Sequence, residues 1–227
     1  MTPSDQARAL VLSRIRAALG VTSKDRKREQ AVEGRLHNHP RGTIPGRARA
    51  DHEALLDLMI TMLKSQGAET TRATTPEEAV RVIVGDLGAH NLPSILRMGN
   101  DPMLGALPWD TAPLLERLSG RAVPDDRAAL SGAVTAVAET GTLVLVSGAD
   151  NPTTLAFLPE VHFILVRAGD VVGSYEAAFD RLRAIYGEGS LPRTVNLISG
   201  PSRTADIEQT IVRGAHGPKR LHVVILG

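Results

Sequence analysis

A layered α/β domain with a largely parallel sheet is predicted for residues 50–227, with an N-terminal helical appendage over 1–49. Two observations predict it. Short β-branched runs, such as Val161 to Val166 and Leu221 to Leu226, alternate with longer segments whose apolar residues recur at helical spacing. The stretch 193–227 then reads as one complete unit of such a sheet. It offers an apolar run Val195–Asn196–Leu197–Ile198, a Gly200–Pro201 break, a helical stripe and a second apolar strand. In that stripe Thr204 is the expected N-cap, Asp206 and Glu208 favour the first turn, Ile207, Ile211 and Val212 share a face, and Gly214 closes it.

Taken in order, the chain opens with a helix capped at Ser4, with Ala7, Leu10, Val11, Ile15 and Leu19 on one face and Gly20 at its end. Residues 21–49 are polar and charged, with Pro40 and Pro45, and are expected to form a mobile linker or arm. Residues 50–66 carry Leu55, Leu56, Met59 and Leu63 at helical spacing, and a short strand is expected at 68–72. Thr75–Pro76–Glu77–Glu78 has the form of a capping box with proline at the first helical position. Ser94 to Met98 suits a strand, Ala112 to Leu118 a helix, and Trp109 either a pocket wall or a packing anchor. Ala133 to Ala138 and Thr142 to Val146 flank a bend at Glu139–Thr140–Gly141, and Val161 to Val166 is a strand carrying His162. Ser174 caps a further helix with Ala177, Ala178, Leu182 and Ile185 inward, ending at Gly187.

Composition narrows the chemistry. The chain has 227 residues and no cysteine, so it holds neither a disulfide nor a thiolate-bound iron–sulfur cluster. No apolar run approaches the roughly 20 residues of a membrane span, and the start lacks the apolar core of a signal peptide; both suit the cytoplasm. Residues 1–50 hold 11 Lys and Arg against 4 Asp and Glu, whereas 51–227 hold 15 against 21. A basic arm thus precedes a mildly acidic domain. It carries no aromatic residues to stack on bases, so an acidic neighbour or simple solubility explains it better than nucleic acid. The glycine patterns of dinucleotide and P-loop sites, the GxSxG elbow, HExxH and the EF-hand are all missing from the sequence. His37 and His39 have no second ligand pair and read as solvated loop residues; no metal is expected.

Two segments carry candidate chemistry. In open α/β sheets ligands collect beyond the carboxyl ends of strands, where Ser199 to Thr204 falls. The hydroxyls of Ser199, Ser202 and Thr204, the Arg203 guanidinium and the amides of a helix start suit an anion. Plain helix capping accounts for the same residues. Glu139 reads as a solvated turn carboxylate or as a site residue at a sheet edge, and His162 as a packing residue or a functional one. A Ser–His–Asp set assembled from Ser202, His216 and Asp206 has no support from spacing.

The wording SGPSRTADIE, with GAHGP and LHVVILG after it and AETGTLVLVSG and LPEVHFILV upstream, resembles the lactate-utilisation protein C family, whose module is the LUD domain. The matching blocks occupy about the last 100 residues in the family's order. The chain departs from the family at Val134, where an acidic residue is common. The resemblance implies a Rossmann-like arrangement similar to the sugar-phosphate isomerase and CoA transferase-like fold. It also implies an accessory role in the oxidation of L-lactate to pyruvate, with iron–sulfur clusters on partner proteins and no cofactor on this chain. Under it Glu139 and His162 are candidates for proton handling. Thr140, Gly141, Thr142, Ser199, Gly200, Ser202, Arg203 and Thr204 are candidates for binding a small carboxylate or phosphate. Fold analogy alone also suggests a free-standing enzyme acting on a phosphorylated, CoA-linked or folate-linked molecule, with Glu139 as nucleophile or base.

Overall fold

The computed structural model describes residues 3–22, 25–207 and 210–227. The chain divides into two compact units, 1–42 and 43–227. The first holds α1 (Pro3–Ala18) and α2 (Arg26–Asn38). Helix α1 begins at Pro3, so Ser4 lies inside its first turn instead of capping it. Helix α2 corrects the expectation of a mobile linker. Its Lys, Arg, Glu, Gln and Ala are strong helix formers that need no apolar stripe. Asp25 caps it by accepting from the Arg28 amide at 3.2 Å, and His39 closes it in the left-handed region.

The second unit is built on a six-stranded, wholly parallel sheet. Its strands are β1 (Glu69–Ala73), β2 (Ile95–Met98), β3 (Glu116–Ser119), β4 (Ala128–Gly132), β7 (Val161–Arg167) and β12 (Arg220–Leu226), in the spatial order β1-β12-β7-β4-β2-β3. A parallel strand covered on both faces reads as a continuous apolar run, and β7 is buried over six of its seven residues. Alternate β7 side chains feed two cores. Ile164 and Val166 pack with α3 (His52–Ser65); Phe163 and Leu165 pack with α4 (Pro76–Ala89), Trp109 and Leu104 of the short helix α5 (Pro102–Gly105). Trp109 is a packing anchor, donating from Nε1 to the Leu104 carbonyl at 2.8 Å. Thr75 caps α4 through the Glu78 amide, but the Glu78 carboxylate returns one residue further, to Thr74 N at 2.7 Å. The helix expected over 112–118 is instead a tight turn at Trp109–Thr111 followed by β3.

A second sheet packs on the α3 side of the first. It contains β5 (Thr135–Val137), β6 (Thr142–Val146), β8 (Val171–Val172) and β9 (Val195–Ile198), ordered β8-β5-β6-β9. Glu139–Thr140–Gly141 closes the antiparallel β5–β6 hairpin, with Gly141 at φ +65. Helix α6 (Tyr175–Tyr186), capped by Ser174, covers the outer face through Ala178 and Leu182, while Ile185 is exposed.

Two corrections concern 193–227. Strand β9 pairs antiparallel with β6 and is not part of the parallel sheet. The segment read as a helix opened by Thr204 is an antiparallel pair, β10 (Arg203–Ile207) with β11 (Thr210–Arg213). Five β-branched residues, Thr204, Ile207, Thr210, Ile211 and Val212, favour the extended form over the helix that their spacing also fits. The expected first-turn carboxylate Glu208 lies outside the described residues, as do the side chains of Asp206, Ile207, Ile211 and Val212. No helix among the described residues is long and apolar enough to cross a membrane.

Candidate functional site

The carboxyl end of β9 delivers Ser199–Arg203 to a cleft of about 260 Å³ at the amino ends of β7 and β12. Ser199, Gly200, Ser202 and Arg203 line it together with His162 and His216. The loop is pinned on both sides. Ser202 donates its amide to the Pro218 carbonyl at 2.8 Å and accepts from Gly214 N at 3.0 Å. Gly200 lies so close to the end of α3 that a Cβ there would sit 3.0 Å from Gln66. The Arg203 guanidinium lies over Gly67, a position at φ +83 that a side chain would obstruct. Arg203 is exposed and has no hydrogen bond or ion pair among the described residues. With no helix after it, anion attraction in this loop rests on that guanidinium rather than on a helix dipole.

His162 is the buried polar group of the cleft, 1% exposed, with Nε2 3.0 Å from Ser131 Oγ on β4. Desolvation pushes its pKa down to about 3, so the imidazole is neutral near pH 7. His216 reaches Ser202 Oγ through its backbone N–H at 3.3 Å, not through its ring. The side chain of Asp206, the remaining member of the Ser–His–Asp set, lies outside the described residues.

The AETGT hairpin forms a separate polar group. Glu139 is 6% exposed and its Oε1 accepts from Tyr175 N, at the start of α6, at 3.3 Å. Thr142 Oγ1 lies 2.8 Å from each of the Thr140, Tyr175 and Ser199 hydroxyls. Ser199 thus belongs both to this hydroxyl cluster and to the cleft wall. Gly141 seats the hairpin against α3, where a Cβ would come within 2.7 Å of Leu63 N. Of the sequence-derived residues, His162, Ser199, Gly200, Ser202 and Arg203 meet at the cleft. Thr140 and Thr142 join through Ser199, and Glu139, Gly141 and Thr204 stand outside its lining. Sequence reasoning missed Ser131 and Tyr175. Tyr175 follows the Ser174 cap directly, a local clue; Ser131 carries none.

Among the described residues, Glu69, Asp86 and His90 form a group with metal-ligand spacing. Arg220 donates to Glu69 at 2.7 Å and to Asp86 at 3.0 Å, and His222 Nδ1 lies 3.1 Å from Asp86. The carboxylates are therefore already charge-paired, which suits a structural ion network.

Comparison with known proteins agrees with this architecture. A family model described as the LUD domain matches residues 56–226. The chain is 37% identical over 90 residues to Lactate utilization protein C of Shouchella clausii (strain KSM-K16), covering 39% of each chain. It is 30% identical over 182 residues to YkgG of Escherichia coli (strain K12), covering 74% of this chain and 75% of that one. The matches span less than half the length of proteins named Lactate utilization protein C, 39% in one and 46% in another. A crystal structure of a DUF162 family protein from Deinococcus radiodurans shares the fold, with a TM-score of 0.60 at 22% identity, covering 78% of this chain and 99% of that chain.

Proposed function

Because the chain belongs to the LUD domain family, we propose that it acts in L-lactate utilisation, as an accessory subunit of an iron–sulfur-dependent system that oxidises L-lactate to pyruvate. Similarity to proteins named Lactate utilization protein C supports the process. The observation that carries a role for this chain is the small cleft that brings the Arg203 guanidinium, unpaired among the described residues, together with a buried neutral His162. A 2-hydroxy acid has a carboxylate for the first and a hydroxyl for the second.

Oxidising lactate to pyruvate removes two electrons and two protons. With no cysteine to hold a cluster, this chain carries no iron–sulfur centre, and both electrons go to clusters on partner proteins. Arg203 binds the carboxylate, and Ser199 and Ser202 supply hydroxyl contacts. The neutral His162 ring, held by Ser131, takes up the hydroxyl proton only in passing, and that proton and the one from the α-carbon are both released to solvent. Glu139 acts indirectly. Its bond to Tyr175 N fixes the start of α6, and with it the Tyr175 hydroxyl that supports Thr142 and Ser199.

A tagged pull-down from lactate-grown cells tests this reading, with lactate-dependent dye reduction assayed on the eluate. Co-purified iron–sulfur proteins whose activity is lost when this chain is removed are the expected result. A chain that elutes alone overturns it in favour of a free-standing enzyme.

A further inference from the structure

A second cleft, of about 670 Å³, lies between the loop after β3, the end of β6 and the start of β9, and shares no lining residue with the cleft assigned to lactate. Arg121, Arg193 and Thr153 line it, and among the described residues no Asp or Glu does. Arg121 comes from the loop after β3. Gly120, at φ +102, donates to the Met98 carbonyl at 2.9 Å and turns the chain there. The next residue, Ala122, donates to Thr154 Oγ1 at 2.9 Å. Arg193 precedes β9, and its neighbour Thr194 donates to Ser147 Oγ at 2.9 Å while accepting from Ser147 N at 2.9 Å.

Each arginine is therefore carried on backbone fixed one residue away, and both fixings attach to the segment 147–154 between them. That segment is seated in turn on the end of β2, where only a glycine at 99 leaves room for the Asp150 carbonyl and Pro152. Neither guanidinium has a hydrogen bond or ion pair among the described residues. Two cations held on anchored backbone around one carboxylate-free cleft attract a dianion, and guanidinium forks match the oxygens of a phosphoryl group. The volume falls within the roughly 300–1,000 Å³ of small-molecule sites.

We infer that this cleft binds the phosphoryl group of a small molecule, with Arg121 and Arg193 as its cationic ligands and the Thr153 hydroxyl beside them. The site is independent of the one assigned to lactate and stands whether or not that assignment holds.

Calorimetric titration of the full chain with pyrophosphate at low ionic strength tests it. The wild type binds; Arg121→Ala and Arg193→Ala each weaken binding about tenfold, the scale of one charged hydrogen-bonding partner. Arg203→Ala leaves it unchanged, and excess L-lactate does not displace the probe. Both arginines are exposed and without partners among the described residues, so the variants should melt with the wild type. Arg121→Gln and Arg193→Gln form a second pair with the same expectation. A wild type that gives no binding heat, a double variant that binds as tightly as the wild type, or a loss confined to Arg203→Ala overturns the proposal.

Discussion

At the amino ends of β7 and β12, the cleft is small and its polar centre, His162, is sealed among core strands with one cation, Arg203, at the surface. Between the loop after β3 and the ends of β6 and β9, the cleft is larger and its chemistry stands on loops, with two exposed arginines and, among the described residues, no buried titratable group in its lining. The first couples any ligand to the protein core, because His162 and Ser199 also belong to internal hydrogen-bond chains. The second should fill or empty with little effect on the fold. Burial, more than location in the sheet, decides which cleft the stability of the protein reports on.

The strongest way to expose that difference is acid. The His162 pKa is near 6.5 in the unfolded chain and about 3 in the folded one. Between those values the unfolded state binds more protons, so stability falls as pH drops below 6.5 and goes on falling to about 3. The slope reaches about 1.4 kcal/mol per pH unit, or about 3 kcal/mol by pH 4. Urea denaturation across pH 4–7 should record this loss in the wild type and a flatter acid limb in His162→Gln. The Arg121→Ala, Arg193→Ala double variant should keep the wild-type limb; an identical slope in all three proteins would remove the contrast.

Next in size is Gly141→Ala. A side chain at φ +65 and within 2.7 Å of Leu63 N must push the hairpin off α3. A loss of about 2 kcal/mol is expected, read as a lower melting temperature. Lactate binding should weaken with it as Thr142 and Ser199 shift, while pyrophosphate binding persists. Gly99→Ala is the counterpart, since its Cβ would meet the Asp150 carbonyl, and it should weaken pyrophosphate binding first.

Smaller again, Arg203→Ala should weaken lactate binding about tenfold, worth about 1.4 kcal/mol, in a calorimetric titration. Its stability should match the wild type within about 0.5 kcal/mol, as for other exposed side chains without structural partners. An unchanged lactate affinity would detach Arg203 from the cleft's chemistry. The least effect belongs to Arg121→Ala and Arg193→Ala on folding, again within about 0.5 kcal/mol by urea denaturation.

The same contrast explains what the sequence disclosed. Strands β1, β2, β7 and β12, the Thr75 cap and the Glu139–Gly141 hairpin rest on neighbours in the chain and were legible, whereas β3 fell in a segment expected to be helical and β4 gave no strand signal. His162 was legible as a strand histidine, but its neutral state depends on burial beside Ser131, which no local pattern encodes. The 203–213 pair was misread because Ile207, Ile211 and Val212 satisfy a helical stripe while their β-branching favours strands. Helix α2 was misread from the opposite cause, a helix-forming composition without an apolar stripe. The meeting of Arg121 with Arg193 depends on Ala122 and Thr194 finding Thr154 and Ser147, contacts that only the folded chain makes.

Reconstitution addresses the central assignment most directly. A lactate-oxidising assembly would be depleted of this chain, then resupplied with wild type or Arg203→Ala, and its lactate-dependent dye reduction measured at subsaturating lactate. Wild type should restore activity, and Arg203→Ala about a tenth of it, from the tenfold loss in binding. Full activity in the depleted assembly, or equal restoration by the two proteins, would contradict the assignment.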